Sequence, residues 1–317
     1  MIHINYSKNF DRNKYYKSIS KKYFIINKNK LLKKHIKKYH KKSITLEELF
    51  NYFKTKKLGN FDTIFDGISF KFLAIGNFNT LKKIKDKIKT DKSIRENEFI
   101  KFLFNYTDLQ SKKIKPFFED NLLISTCYYC NIDFINTYNT RNEKKNKFTL
   151  DHYFDKYTYP YLALSLYNLV PSCYTCNSKL KGIKEFHNLA PSSKKYDFDE
   201  KVKFKITLDS SCENLHIKNK NNINIKLTEN YSDEFEKFIS EMLLNERYNV
   251  HNDIVYEMIT KVELYPESRL KELQNLTGIP YQQIKKDIFN LIDKNEDLSN
   301  KPFSKLIKDI SEELKLI

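Results

Sequence analysis

Two pairs of cysteines in the middle of the chain constrain its folding more than any other feature. Cys127 and Cys130 form one CxxC motif, and Cys173 and Cys176 form a second. In a reducing compartment such pairs hold a metal ion more often than a disulfide. Four thiolates suit tetrahedral zinc, and a site closed by four cysteines leaves no position open for catalysis. We therefore expect a structural zinc ion, with a redox-active or unliganded set of thiols as the alternative.

The 42 residues between the two motifs must form a folded unit between the two cysteine pairs that bind the metal ion. Residues 148–151 and 167–170 are each short and apolar enough for a strand. The residues after Pro171 suit a helix that ends at Gly182, because glycine is the residue most often found just past a helix end. The predicted order is therefore strand, loop, strand, helix.

An acidic residue and a histidine, Asp151 and His152, adjoin at the end of the first predicted strand. Neighbouring residues of a strand point to opposite faces, which would separate the two side chains. The aromatic and charged residues that follow do not alternate cleanly, so we expect the strand to end at Asp151 and the chain to turn there. Both side chains would then converge on Asn177. The alternative is a surface acid beside a core histidine.

Three short segments of this region occur in the order of a known nuclease family, with that family's cysteine pairs around them. They are LeuAspHis at 150–152, AsnLeuValPro at 168–171 and CysTyrThrCysAsnSerLysLeuLysGly at 173–182. The region, about a fifth of the chain, resembles a zinc-braced HNH endonuclease of the ββα-metal superfamily. Two positions depart from the usual pattern, since the family often has proline in place of Asp155 and histidine in place of Asn177.

The resemblance implies a role for four residues. His152 would be the general base, because a neutral imidazole accepts a proton from water at cellular pH. Asp151 and Asn177 would supply hard oxygen ligands to Mg²⁺ or Mn²⁺ and leave positions for water and phosphate, although Asn177 could instead cap backbone groups. Asn168 would form hydrogen bonds across the loop and hold the base in place.

The N-terminal region, residues 1–121, is basic and has mainly helical patterning. In residues 21–42 apolar side chains recur at helical spacing among lysines, which predicts a solvated basic helix, with nucleic-acid contact as the alternative. Thr45 and Glu48 match the T-x-x-E capping box that marks the start of a helix.

The C-terminal region, residues 191–317, begins with alternating apolar residues and continues with helical stripes. Gly278 predicts the end of one helix, and Pro302 the start of another. The predicted antiparallel strands lie at 201–208, 215–217 and 223–227. We therefore expect an α+β chain, mostly helical, in which a central module at residues 122–190 is flanked by these two regions.

The net charge of +17 favours a polyanionic partner, and we expect double-stranded DNA. Lys179 and Lys181 could contact phosphates, with solvation as the alternative. The lysine excess is also typical of an AT-rich genome, so charge alone does not decide the partner. No apolar run reaches the roughly 18 residues of a membrane span, and the start of the chain lacks a signal-peptide core, which together predict a cytoplasmic protein.

The resemblance implies a metal-dependent endonuclease that cleaves phosphodiester bonds and leaves 5′-phosphate ends, and we expect DNA as the substrate. A catalytically silent, zinc-containing nucleic-acid-binding module and an RNase of the same fold are the alternatives. The flanking regions resemble nuclease effectors of bacterial antiphage defence, including the Septu type, which pairs with an ATPase. Because the chain has no GxxxxGK[ST] motif, ATP-driven control would need a partner ATPase. A stand-alone restriction or mobile-element nuclease is the other possibility.

Overall fold

The computed structural model describes residues 1–6, 10–36, 42–141, 144–186, 190–208, 220–293 and 295–317. Within these ranges many short helices combine with small antiparallel sheets, each of two strands. This arrangement agrees with the predicted α+β class. The predicted strand at 215–217 and the end of the basic run at 37–41 lie outside the described residues. No helix among the described residues is long and apolar enough to cross a membrane.

The N-terminal region consists of short helices around one small sheet, in which β1 pairs with β2. Its elements are α1 (Arg12–Ser20), β1 (Tyr23–Ile25), α2 (Lys30–His35), β2 (Ser43–Thr45), α3 (Leu46–Thr55), α4 (Phe61–Ile64), α5 (Phe70–Ile75), α6 (Phe78–Lys87), α7 (Lys92–Glu96), α8 (Glu98–Leu103), α9 (Thr107–Leu109), a π-helix (Gln110–Ile114) and α10 (Lys115–Asn121).

The capping box predicted at the start of α3 is confirmed. The Thr45 hydroxyl accepts from the Glu48 backbone N–H at 3.2 Å, and the Thr45 N–H donates to the Glu48 carboxylate at 2.9 Å. The long basic helix predicted for residues 21–42 is wrong. The chain there forms β1, a 3₁₀ turn and the short α2, because Ile26 and Leu32 are buried and fix the backbone by packing, overriding local propensity.

The middle region holds two hairpins and one helix. Its elements are β3 (Thr137–Asn139), β4 (Lys144–Asn146), β5 (Thr149–His152), 3₁₀ turns (Pro160–Leu162 and Leu166–Asn168), β6 (Leu169–Ser172) and a helix with π-type hydrogen bonds (Thr175–Lys181), which we call the site helix. The predicted order of strand, loop, strand and helix is thus present, and the site helix ends at Gly182, whose φ is +51°.

The two strands of the central hairpin begin and end one or two residues later than predicted. β5 runs antiparallel to β6, with Asp151 opposite Val170 and His152 opposite Leu169. The first strand therefore continues through His152 and does not end at Asp151. The second strand begins at Leu169, because the preceding residues form a 3₁₀ turn.

The C-terminal region packs a long hairpin against helices. Its elements are α11 (Phe198–Lys201), β7 (Val202–Leu208), β8 (Ile223–Glu229), α12 (Glu236–Glu241), α13 (Leu244–Asn249), α14 (Asn252–Leu264), α15 (Glu267–Thr277), α16 (Tyr281–Phe289) and α17 (Ser304–Glu313). The predicted pairing of β7 with β8 is confirmed, as is the helix end at Gly278, whose φ is +69°. The helix predicted to start at Pro302 begins at Ser304.

Buried apolar side chains of all three regions form one continuous core. Hydrogen bonds between the regions reinforce it: the Tyr15 hydroxyl donates to the Leu164 carbonyl at 2.9 Å, and the Tyr248 hydroxyl donates to the Cys130 carbonyl at 2.6 Å. Because of this shared core, the flanking regions support the loop after β5 and the cysteine cluster directly.

Candidate active site and metal centre

The four cysteines of the two CxxC motifs come together as the sequence predicts. Their sulfur atoms all lie within 4.8 Å of one another, and all four residues are buried. Zinc in a tetrahedral site lies about 2.3 Å from each sulfur, which places the sulfurs about 3.8 Å apart. The cluster therefore has the composition and dimensions to hold a metal ion such as zinc.

Each sulfur of the cluster accepts an N–H hydrogen bond, which favours the thiolate form. Backbone N–H groups of Cys173, Ile132 and Cys176 donate to the sulfurs of Cys127, Cys130 and Cys173, at 3.3 to 3.4 Å. The fourth sulfur, Cys176 Sγ, accepts from Arg247 Nη1 at 3.2 Å. Arg247 lies on α13, far away in sequence, and no motif in the sequence points to it.

An open cleft of about 370 Å³ lies beside the cysteine cluster, along the central hairpin. All four residues of β5 line it, so the cleft follows the strand along its length. Asp151, His152 and Asn177 all line this cleft. The one-residue extension of β5 therefore does not separate Asp151 from His152.

The imidazole of His152 is almost fully buried, and one of its nitrogens is fixed. Nε2 lies 3.0 Å from the Ala163 carbonyl oxygen. A carbonyl oxygen can only accept, so Nε2 carries the proton and Nδ1 keeps its lone pair. The ring also makes an edge contact with Tyr106, at 4.5 Å between centroids. Burial lowers the pKa of His152 to about 3, which keeps the ring neutral at cellular pH.

Two buried side chains contact the same carboxylate oxygen of Asp151, Oδ2. The Tyr129 hydroxyl donates to it at 2.6 Å, and Lys181 Nζ lies 3.1 Å away. Lys181 also donates to the His152 carbonyl at 2.8 Å. Burial raises the pKa of Asp151, while Lys181 and Tyr129 act in the opposite direction by stabilising the ionised form.

The position of Lys181 corrects the prediction that it contacts phosphates. Its side chain has no exposed surface, so it serves as an internal counter-ion of Asp151. Lys179, two residues earlier, is exposed and lies over the ring of Tyr174, with Nζ 5.7 Å from the ring centroid. Lys181 lies one helical turn after Asn177, so their spacing in the sequence is a signal that places both on one helix face.

The side chain of Asn177 reaches the cleft from the site helix. Its Nδ2 donates to the Thr149 hydroxyl at 2.9 Å, and that hydroxyl donates to the Ser172 carbonyl at 2.9 Å. This bond fixes the orientation of the amide and directs Oδ1 away from Thr149. The beginning of the site helix is thereby attached to β5, the strand that carries Asp151.

Asn168 is completely buried and joins both ends of the loop after β5. Its Oδ1 accepts from the Phe154 N–H at 2.7 Å, and its Nδ2 donates to the carbonyls of Phe154 and Leu162 at 3.0 and 3.1 Å. Leu162 precedes Ala163, whose carbonyl orients His152. Asn168 therefore positions the imidazole without reaching the cleft itself.

Three acceptor atoms on the cleft residues have no hydrogen-bond partner within the part of the chain that the structure describes. They are Asp151 Oδ1, His152 Nδ1 and Asn177 Oδ1, and because none of them is a buried atom without a partner, all three remain accessible to solvent. Two of them are hard oxygens suited to Mg²⁺ or Mn²⁺, and the third is a neutral imidazole nitrogen. The donor set therefore fits a hard divalent cation beside a general base.

Comparison with known proteins gave no relative: no family model, no curated protein and no solved structure matches this chain. The chemistry of the cleft is therefore argued from its own residues.

Proposed function

We propose that the protein is a metal-dependent endonuclease of the HNH type that hydrolyses phosphodiester bonds. The observation that carries this proposal is the meeting of three unpartnered acceptors, Asp151 Oδ1, His152 Nδ1 and Asn177 Oδ1, on one cleft. A cation or a water molecule can bind these solvent-accessible acceptors without breaking a hydrogen bond of the protein.

His152 acts as the general base. Its Nδ1 takes a proton from a water molecule while the water oxygen attacks phosphorus and the bond from phosphorus to the 3′ oxygen breaks. The departing 3′ oxygen takes a proton from a water molecule in the open cleft, so the products are a 5′-phosphate and a 3′-hydroxyl. The Ala163 carbonyl holds the ring in the tautomer that leaves Nδ1 free, and Asn168 holds the loop that carries this carbonyl.

Asp151 and Asn177 would hold a catalytic cation, with Oδ1 of each side chain available as a ligand. A bound Mg²⁺ or Mn²⁺ would neutralise the charge that develops on the phosphate oxygens. Two protein ligands leave coordination positions for water and substrate. Lys181 and Tyr129 fix the second carboxylate oxygen of Asp151, so the first keeps one orientation toward the cleft.

DNA is the substrate that we propose, in line with the family resemblance and the net charge of +17. A role as the nuclease of an antiphage defence system, controlled by a partner ATPase, remains a prediction from the resemblance alone. A plasmid-nicking assay tests the cleavage activity. We expect wild-type protein to nick DNA with Mg²⁺ or Mn²⁺, and EDTA to stop it. Binding without nicking under any of these conditions would favour the catalytically silent module.

A further inference from the structure

A second cleft adjoins the candidate active site on the side of the N-terminal region. Its volume is about 170 Å³, and Tyr106, Lys156 and Tyr157 line both clefts. Its other walls include Lys101 and Asn105 at the end of α8. A substrate longer than one phosphodiester group would therefore extend from the catalytic residues along this surface.

An exposed aromatic ring stands at the junction of the two clefts. Tyr157 is 73% exposed, although its backbone is fixed because Asp155 Oδ2 accepts from the N–H groups of Tyr157 and Thr158 at 3.1 and 2.8 Å. Lys156 Nζ lies 5.4 Å from the ring centroids of both Tyr157 and Tyr106. A solvent-facing ring on a fixed backbone, beside an ammonium group, is a combination on which nucleic-acid bases stack next to their phosphates.

Positive charge continues beyond this junction. A third cleft, which shares Thr107 with the second, is lined by Lys112 and Lys113, and both lysines are exposed. Over the ranges that the structure covers, no carboxylate pairs with Lys101, Lys112, Lys113 or Lys156. These ammonium groups are therefore available to phosphates.

We propose that this surface binds a single strand of DNA, with one base stacked on Tyr157 and the neighbouring phosphates on Lys156 and Lys101. The inference rests on the proposed function and specifies its substrate, which differs from the duplex expected from the resemblance. Asp151 and His152 are only 3% and 7% exposed, so a phosphodiester must enter the cleft to reach them. An unpaired strand can bend into the cleft and turn a base onto Tyr157, whereas paired bases are already stacked within a duplex.

Fluorescence anisotropy with a labelled single-stranded DNA tests the proposal. The variants are made in the His152→Ala protein, so that binding is measured without cleavage. Tyr157→Ala should weaken binding by about 5- to 150-fold, the range for loss of one stacked base, whereas Tyr157→Phe should bind as the parent does. Lys101→Ala and Lys156→Ala should each reduce the slope of log K against log salt by about 0.7, the contribution of one phosphate contact on a single strand.

Two exposed residues of the C-terminal region provide matched controls. Tyr231→Ala and Lys226→Ala should leave both the affinity and the salt slope unchanged. A duplex of the same sequence should bind more weakly than the single strand. Tighter binding of the duplex, or equal affinity of the Tyr157→Ala and parent proteins, would overturn the inference and leave plasmid cleavage untouched. Absence of cleavage of both the plasmid and the single strand by the wild-type protein with Mg²⁺ or Mn²⁺ would overturn the proposed function and leave these affinities untouched.

Discussion

Replacing Lys181 by methionine removes the buried counter-ion of Asp151 and keeps most of the aliphatic volume. The change deletes the ammonium group 3.1 Å from Asp151 Oδ2 and its 2.8 Å bond to the His152 carbonyl. The two side chains are 0% and 4% exposed, so water cannot take over either contact. The variant therefore leaves a buried carboxylate with the Tyr129 hydroxyl as its remaining donor among the described residues.

The expected loss of stability is large. Breaking a buried ion pair by removing one partner costs about 3 to 5 kcal/mol, against a total of about 5 to 15 kcal/mol for a typical folded protein. The loss should also depend on pH. Without Lys181 the pKa of Asp151 rises further above its unfolded value, so the cost is smallest at acidic pH, where the carboxyl group is neutral, and grows as the pH rises.

Urea unfolding of the zinc-loaded protein at pH 7.5 and pH 5.5 measures both effects. Lys179→Met is the matched control, because it changes an exposed lysine of the same helix and should cost no more than about 0.5 kcal/mol. The double variant Asp151→Asn/Lys181→Met removes both charges and should recover much of the lost stability. Equal stability of Lys181→Met and Lys179→Met at pH 7.5, or a difference that grows in acid, would refute the buried-pair interpretation.

Three further predictions concern the base, its support and the zinc. Because the pKa of His152 is lowered to about 3 in the folded protein, the unfolded chain alone binds this proton below pH 6.5. The His152 contribution should lower the free energy of unfolding by up to about 1.4 kcal/mol per pH unit as the pH drops from 6.5 toward 3. The free energy of unfolding, measured by urea titration at several pH values, should therefore change less steeply with pH in His152→Gln than in the wild type; equal slopes would contradict the burial of His152. Asn168→Ala loses three buried hydrogen bonds and should unfold about 3 kcal/mol more easily, with slower DNA cleavage at an unchanged zinc content, whereas a wild-type cleavage rate would disprove its positioning role. Elemental analysis should find one zinc ion per wild-type chain and much less in Cys176→Ser, which should also unfold at a lower temperature; full zinc retention would exclude Cys176 as a ligand.

The sequence was most informative where a local pattern has one physical cause. The capping box of Thr45 and Glu48 depends on neighbouring backbone groups, and the helix end at Gly278 depends on one left-handed residue, so both were predictable. The four cysteines come together because the two CxxC motifs have a single arrangement that suits a tetrahedral metal ion. The two motifs alone were therefore enough to predict that these four residues come together.

Contacts between distant segments were not predictable from the sequence. Arg247 reaches the cysteine cluster from α13, and the Ala163 carbonyl that orients His152 lies in a loop without a distinctive pattern. The predicted phosphate contact or solvation of Lys181 is wrong, because the fold buries its side chain against Asp151, a contact that depends on the tertiary structure. The hairpin of β3 and β4 was missed, since its short polar strands lack the alternation that predicts a strand.

Single-turnover cleavage by the wild type and by His152→Ala tests the central claim most directly. Both proteins should carry one zinc ion per chain and should be compared with Mg²⁺ on DNA and RNA strands of the same sequence. We predict that the wild type cleaves the DNA strand to 5′-phosphate ends and that His152→Ala, folded and zinc-loaded, is slower by at least about 100-fold, the smaller contribution expected of a general base. Undiminished cleavage by His152→Ala would contradict the assignment of His152 as the base and the account of the cleft that depends on it.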